Sequence, residues 1–113
     1  MNNEDIKIIE HIINELDIGM EILNNKNPDQ SLKDEILNRA LSLTEINIGE
    51  SVKKLSNDLR EQSKDIPWKE IAGMRDLAAH KYSMLSASII EDTVRYDFPQ
   101  FKEQLQSLIA QDE

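Results

Sequence analysis

The sequence predicts an all-α protein, an antiparallel four-helix up-and-down bundle with an additional short C-terminal helix. Three observations carry that expectation. Only three glycines and three prolines interrupt 113 residues. Leu, Ile, Glu, Lys and Gln, which lose little side-chain freedom in a helix, are abundant. Apolar residues recur at spacings of three and four, and no segment alternates as a half-buried strand would. Short connections between long helices favour antiparallel neighbours, and the length fits one domain spanning residues 1–113.

The first helix is expected over about residues 3–23, with Ile6, Ile9, Ile13, Leu16 and Met20 on one face. Ile8, Ile12 and Ile22 widen that face, as suits a helix touching more than one neighbour. Residues 24–29, Asn24 to Asp29, read as a turn, and Asn27 precedes Pro28, which disfavours helix. A long second helix follows over roughly residues 31–63, with Ser31 as N-cap and Asp34 and Glu35 in its first turn. Its stripe comprises Leu32, Ile36, Ala40, Ile48, Val52, Leu55 and Leu59, with Leu41 beside it. Gly49 interrupts this helix at a cost of about 1 kcal/mol relative to alanine. Either the cost is simply tolerated, or the missing side chain admits a neighbouring helix.

Ser63 to Ile66 end the second helix, and Pro67 opens a third, where its missing N–H is harmless. Trp68, Ile71, Ala72, Ala78 and Ala79 pack inward, extended by Met74 and Leu77. Residues 82–87 read as a loop. Ser88 and Glu91 match a capping box for a short fourth helix to about Tyr96, with Ser86 as an alternative cap. Asp97, Phe98 and Pro99 start the last helix, whose apolar side carries Phe101, Leu105, Leu108 and Ile109. The tail, Gln111 to Glu113, is expected to fray.

Composition narrows the function. The net charge is −9, from 22 acidic and 13 basic residues. That argues against a general nucleic-acid coat, which needs a broad positive surface, but does not exclude a small basic cleft. There are no cysteines, so disulfides and thiolate metal sites are ruled out. Two distant histidines, His11 and His80, give no recognisable zinc pattern. No segment approaches the ~20 apolar residues of a membrane span, and the acidic start does not read as a secretory signal. A cytoplasmic protein without cofactor or resident metal is expected.

The chemistry concentrates between Arg75 and Tyr82. Arginine offers a planar fork of donors to phosphate oxygens and stays charged. Histidine is the natural acid or base near neutrality. Asp76, four residues before His80, neighbours it along a helix and can set its tautomer. Tyr82 offers a hydroxyl, and falls about 20° from Arg75 around a continuing helix. Arg75 and His80, however, are about 140° apart around the axis. One helix therefore presents a loose arc and no closed pocket. Together these groups suit metal-free cleavage of an RNA backbone, with one group activating the ribose 2′-hydroxyl and Arg75 stabilising charge on phosphate. The plain alternative is that Arg75–Asp76 and Asp76–His80 are surface pairs worth a few tenths of a kcal/mol each.

Arg75, His80 and Tyr82 match the R-x-x-x-x-H-x-Y motif, and in this the chain resembles the HepT-like toxins of the HEPN ribonuclease superfamily. The resemblance extends over Ile66 to Met74, Phe98 to Lys102, Arg39-Ala40 and Gly49 to Ser56, and so over most of the chain from about residue 36. It implies an all-α homodimer whose active site lies between protomers, so that two copies of Arg75 and His80 converge. It implies a metal-independent endoribonuclease leaving a 2′,3′-cyclic phosphate, with an RNA such as tRNA or mRNA as substrate. The implied partner is a nucleotidyltransferase antitoxin that transfers AMP to Tyr82. Added nucleotide phosphate would put negative charge and bulk where an RNA phosphate sits. Asp76 departs from the family pattern, in which many relatives carry another polar residue such as asparagine. Its charge can orient His80 or oppose RNA. An alternative is a non-catalytic helical partner of a nucleotidyltransferase.

Elsewhere, Glu50 reads either as support for the site or as part of a solvated face. His11 reads as surface or helix edge, and Trp68 as a core anchor. Asp58/Glu61 and Glu91/Asp92 read as solvated charge.

Overall fold

The computed structural model describes residues 1–80 and 84–112, without the side chains of His80, Met84, Leu85 and Ser86. Every described element is helical: α1 (Asn3–Leu23), α2 (Pro28–Ser31), α3 (Glu35–Lys53), α4 (Asn57–Gln62), α5 (Trp68–His80), α6 (Met84–Asp92), a π-helical turn (Thr93–Asp97) and α7 (Phe98–Asp112). None of these helices is long and apolar enough to cross a membrane.

Helix α1 occupies its expected span, capped by Asn2, whose side chain accepts the Asp5 N–H at 2.7 Å. Its buried stripe is rotated from the expected one. It runs Asp5, Ile9, Ile12, Leu16, Gly19, Leu23, while Ile6, Ile13 and Met20 lie half-buried beside it. Two non-apolar residues set that rotation. Asp5 is 3% exposed because its carboxylate accepts the Ser56 N–H at 3.0 Å and the Ser56 hydroxyl at 2.6 Å. Gly19 faces Phe98, and a Cβ there would stand 2.6 Å from the ring.

The expected second helix is broken in two places. Asn27 caps the single turn α2 instead of remaining in a loop, and Asp34, not Ser31, caps α3 by accepting the Leu37 N–H at 3.0 Å. The turn that remains is Asn24 to Asn27, with Asn25 at φ 60°, a left-handed conformation that asparagine tolerates. At the other end α3 stops at Lys53 and Ser56 caps α4, accepting the Leu59 N–H at 3.2 Å. Asp5 on α1 claims the Ser56 N–H that a continuous helix would use, so a tertiary contact decides the break. With the cap at Asp34, the inward stripe of α3 becomes Leu37, Leu41, Glu45, Ile48 and Val52. Ile36, expected inside, is 82% exposed.

Helix α5 begins where Pro67 predicts, and Trp68 is buried with its indole N–H donating to the Ser63 carbonyl and hydroxyl oxygens, both at 3.1 Å. The expected loop over residues 82–87 is corrected from Met84 onward. Helix α6 passes through Ser86 and Ser88, so neither serine is a cap. The run Met84 to Ile90 contains no breaker, and helix propagates through it. Residues 81–83 lie outside the described set. The π-helical turn, closed by the Phe98 N–H on the Thr93 carbonyl, carries the chain into α7 without a loop and keeps Ile90, Val94 and Phe98 buried. The C-terminal helix is 15 residues long, not short. It stays helical through Asp112, whose carboxylate meets the Met1 amino group at 2.8 Å.

Asp5 with Ser56 and Glu15 with Asn47 make α1 antiparallel to α3. Asp17 with Lys102 and Gly19 with Phe98 do the same for α1 and α7. Helix α3 also packs along α5.

Glu91 corrects the reading of solvated charge. It is 2% exposed and accepts the Ser31 hydroxyl at 2.5 Å, with Arg95 at 3.5 Å. That contact ties α2 to α6. Asp58, Glu61 and Asp92 are exposed as expected.

Candidate active site

The site begins at a glycine. A Cβ on Gly49 would lie 2.6 Å from the Arg75 Cβ and 2.9 Å from the Ala72 carbonyl oxygen. The missing side chain therefore lets α5 come down on α3, which settles the choice left open by the sequence in favour of close approach. The contact places Arg75 beside Glu50, the residue after Gly49.

The Arg75 Nε–H donates to Glu50 Oε1 at 2.7 Å, and Nη1 donates to Asp76 Oδ1 at 3.3 Å. The arginine side chain is 36% exposed, Glu50 47% and Asp76 68%. The hydrogen bond donated to Glu50, then that donated to Asp76, hold the guanidinium above its already high ordinary pKa. Glu50 occupies the Nε edge, so Nη2 and the second Nη1 proton remain as donors for a phosphate oxygen. Glu50 is thus a partner of the motif arginine and not a merely solvated residue.

His80 is the last residue of α5. Its backbone is helical from Arg75 onward, so the two motif residues leave the helix about 140° apart. The His80 side chain and all of Tyr82 lie outside the described residues. Asp76 and His80 share one side of α5 at the four-residue spacing, and Asp76 faces outward.

His11 is 53% exposed, with Nε2 3.9 Å from Glu15. It lies on α1, at the helix edge as read. The buried acids were not legible. Glu15 accepts the Asn47 amide at 3.0 Å. Glu45 is fully buried, with both carboxyl oxygens lacking a hydrogen-bond partner. Burial, with the Asp97 charge adding, pushes the Glu45 carboxyl up to about 9. It is therefore neutral at pH 7. A helical count that admits polar residues to the stripe, 37-41-45-48-52, would have found it.

Comparison with known proteins gives a consistent family. The family model described as "Ribonuclease HepT-like" matches residues 5–108. A protein of Caldanaerobacter subterraneus subsp. tengcongensis named "Putative RNase TTE0752" is 34% identical over 104 residues, 92% of this chain and 93% of its own. "Putative RNase MJ0125" of Methanocaldococcus jannaschii is 34% identical over 94 residues, covering 80% of this chain and 81% of its own. "Probable ribonuclease HepT" of Thermococcus cleftensis is 36% identical over 61 residues, 54% of this chain and 56% of its own. No solved structure matches.

Proposed function

The chain belongs to the HepT-like ribonuclease family of the HEPN superfamily, and from that premise we propose that it is a metal-independent RNA endonuclease. It acts as the toxin of a type VII-like toxin–antitoxin pair, neutralised by AMP transfer to Tyr82 from a partner nucleotidyltransferase. The observation that carries the reading is the Glu50–Arg75 contact of 2.7 Å. It holds an arginine by one edge, on the helix that carries His80, with its remaining donors half-exposed.

In this reading Arg75 grips a non-bridging phosphate oxygen and stabilises the charge that grows there. His80 takes the proton from the ribose 2′-hydroxyl as that oxygen attacks phosphorus. The bond to the 5′-oxygen breaks and that oxygen takes a proton. The products are a 2′,3′-cyclic phosphate and a 5′-hydroxyl. The wide angle between Arg75 and His80 supports a site completed by a second copy of the chain in a homodimer, where the second His80 supplies the proton to the leaving oxygen. An AMP on Tyr82, two residues beyond His80, adds negative charge and bulk to that site.

The test is incubation of the unmodified protein with total RNA or tRNA in EDTA. Cleavage is expected in the wild type and lost in His80→Ala; equal cleavage by both would sink the assignment of His80. Co-expression with the neighbouring nucleotidyltransferase is expected to add about 329 Da per AMP to the intact mass. The addition should disappear in Tyr82→Phe.

One observation favours a second reading. Two carboxylates already contact Arg75, and they compete with a phosphate for it. A non-catalytic partner of a nucleotidyltransferase would form a stable complex with it and cut no RNA.

A further inference from the structure

The −9 charge poses a problem for any protein that must hold a polyanion, and the distribution of cations answers it. Arg39, Lys64, Arg75, Arg95 and Lys102 each have a carboxylate oxygen within 3.5 Å. Seven other described cations form no ion pair, and two of them, Lys7 and Lys54, share a cleft. Both are exposed, and both line one cleft of about 330 Å³ with Glu4, Ile8, His11 and Ser51.

The fold builds this cleft. The Asp5 carboxylate on the Ser56 N–H and hydroxyl pins the first turns of α1 to the end of α3. Beside this contact, Lys7 and His11 of α1 line the cleft with Ser51 of α3 and with Lys54, which caps the C-terminus of α3. The cleft and the candidate active site draw on the same helix, α3. Ser51 follows Glu50, the partner of Arg75, and Lys54 lies four residues beyond Glu50. That is about 40° around the helix and about 6 Å along it. Two ammonium groups without an ion pair line the cleft with one carboxylate, Glu4, while the His11 imidazole lies 3.9 Å from Glu15 at its edge.

We propose that the cleft between α1 and the end of α3 is a binding subsite for RNA, in which Lys7 and Lys54 hold backbone phosphates of the strand flanking the bond cut beside Arg75. This rests on the ribonuclease reading above. The lysines act as point charges on the backbone and confer no base preference. They supply affinity that is equal in ground and transition states.

Two measurements test it. Binding of a fluorescent single-stranded RNA oligonucleotide to His80→Ala protein is followed by anisotropy at several salt concentrations. Each phosphate contact contributes about 0.7 to the slope of log affinity against log salt. Adding Lys7→Gln and Lys54→Gln should flatten the slope by about 1.4, and either substitution alone by about half of that. In the cutting assay Lys7→Gln/Lys54→Gln should raise KM on the order of tenfold and leave kcat unchanged, the signature of lost uniform binding. Lys26→Gln/Lys33→Gln makes the same change in net charge at the far end of α1 and should alter neither quantity. If the two double variants behave alike, the subsite is wrong while the ribonuclease reading stands. If wild-type protein cuts no RNA, both fall together.

Discussion

The residue that most sharpens the site is Glu50. From the sequence it was equally a solvated residue on a helix face. In the structure it takes the Nε edge of Arg75 at 2.7 Å and leaves the Nη donors available. The hydrogen bond needs an acceptor oxygen and not a charge. Glu50→Gln is therefore expected to keep most of the ribonuclease activity, while Glu50→Ala, which frees the guanidinium to rotate, should lower kcat about ten- to a hundredfold. Steady-state cleavage of one RNA by the three proteins decides this; equal loss in both variants would mean that the negative charge itself matters. Arg75, Asp76 and His80 stand out as candidates in the sequence because their side-chain types cluster on one helix. Glu50 was found only as one of two options, because its role depends on which residue of another helix comes to it.

Among the elements, the contact of α3 with α5 shows how a small residue decides a site. Gly49 costs helix propensity, yet it sets the distance at which Arg75 meets Glu50. In Gly49→Ala the new methyl would meet the Arg75 Cβ and the Ala72 carbonyl, neither of which is the loose end of a side chain. The better propensity of alanine, about 1 kcal/mol, is outweighed by overpacking of about 1–3 kcal/mol. The variant should therefore melt at or below the wild-type temperature and lose ribonuclease activity as α5 is pushed outward. Calorimetry and the cleavage assay together check it; a more stable, fully active protein would refute the close-packing argument. The breaks in the expected second helix turn on which serine finds a partner in another element. Ser31, Ser56 and Ser88 are all plausible caps by composition. Ser56 caps because Asp5 holds its N–H, whereas Ser31 bonds Glu91 and Ser88 lies within α6.

At the scale of the whole molecule, Glu45 links stability to pH. An unperturbed carboxyl titrates near 4.5, and burial lifts this one to about 9. Between those values the folded chain holds a proton that the unfolded chain has released. This contribution to stability is complete below about pH 4.5 and is lost as pH rises toward 9. The loss approaches 1.4 kcal/mol per pH unit at its steepest. Glu45→Leu removes the proton and two unpartnered oxygens. Urea unfolding at pH 5.5 to 8.5 should show wild-type stability falling with pH more steeply than that of the variant. Identical slopes would show that Glu45 is not the group responsible.

The amino-acid sequence by itself determined that this chain is helical, where α1 and α5 run, that Trp68 anchors the core, and which short segment holds the candidate catalytic side chains. Those are consequences of 3.6-residue periodicity, a proline, and the side-chain types clustered from Arg75 to Tyr82. The tertiary structure decided which face of α1 and α3 turns inward, where the second helix breaks, which acids are buried, and which residue holds Arg75. Each of these depends on a partner distant in sequence: Ser56 for Asp5, Phe98 for Gly19, Ser31 for Glu91, Glu50 for Arg75. A polar residue enters a buried stripe only when another element supplies its hydrogen bond or holds it neutral, and periodicity along one helix carries no record of that second element.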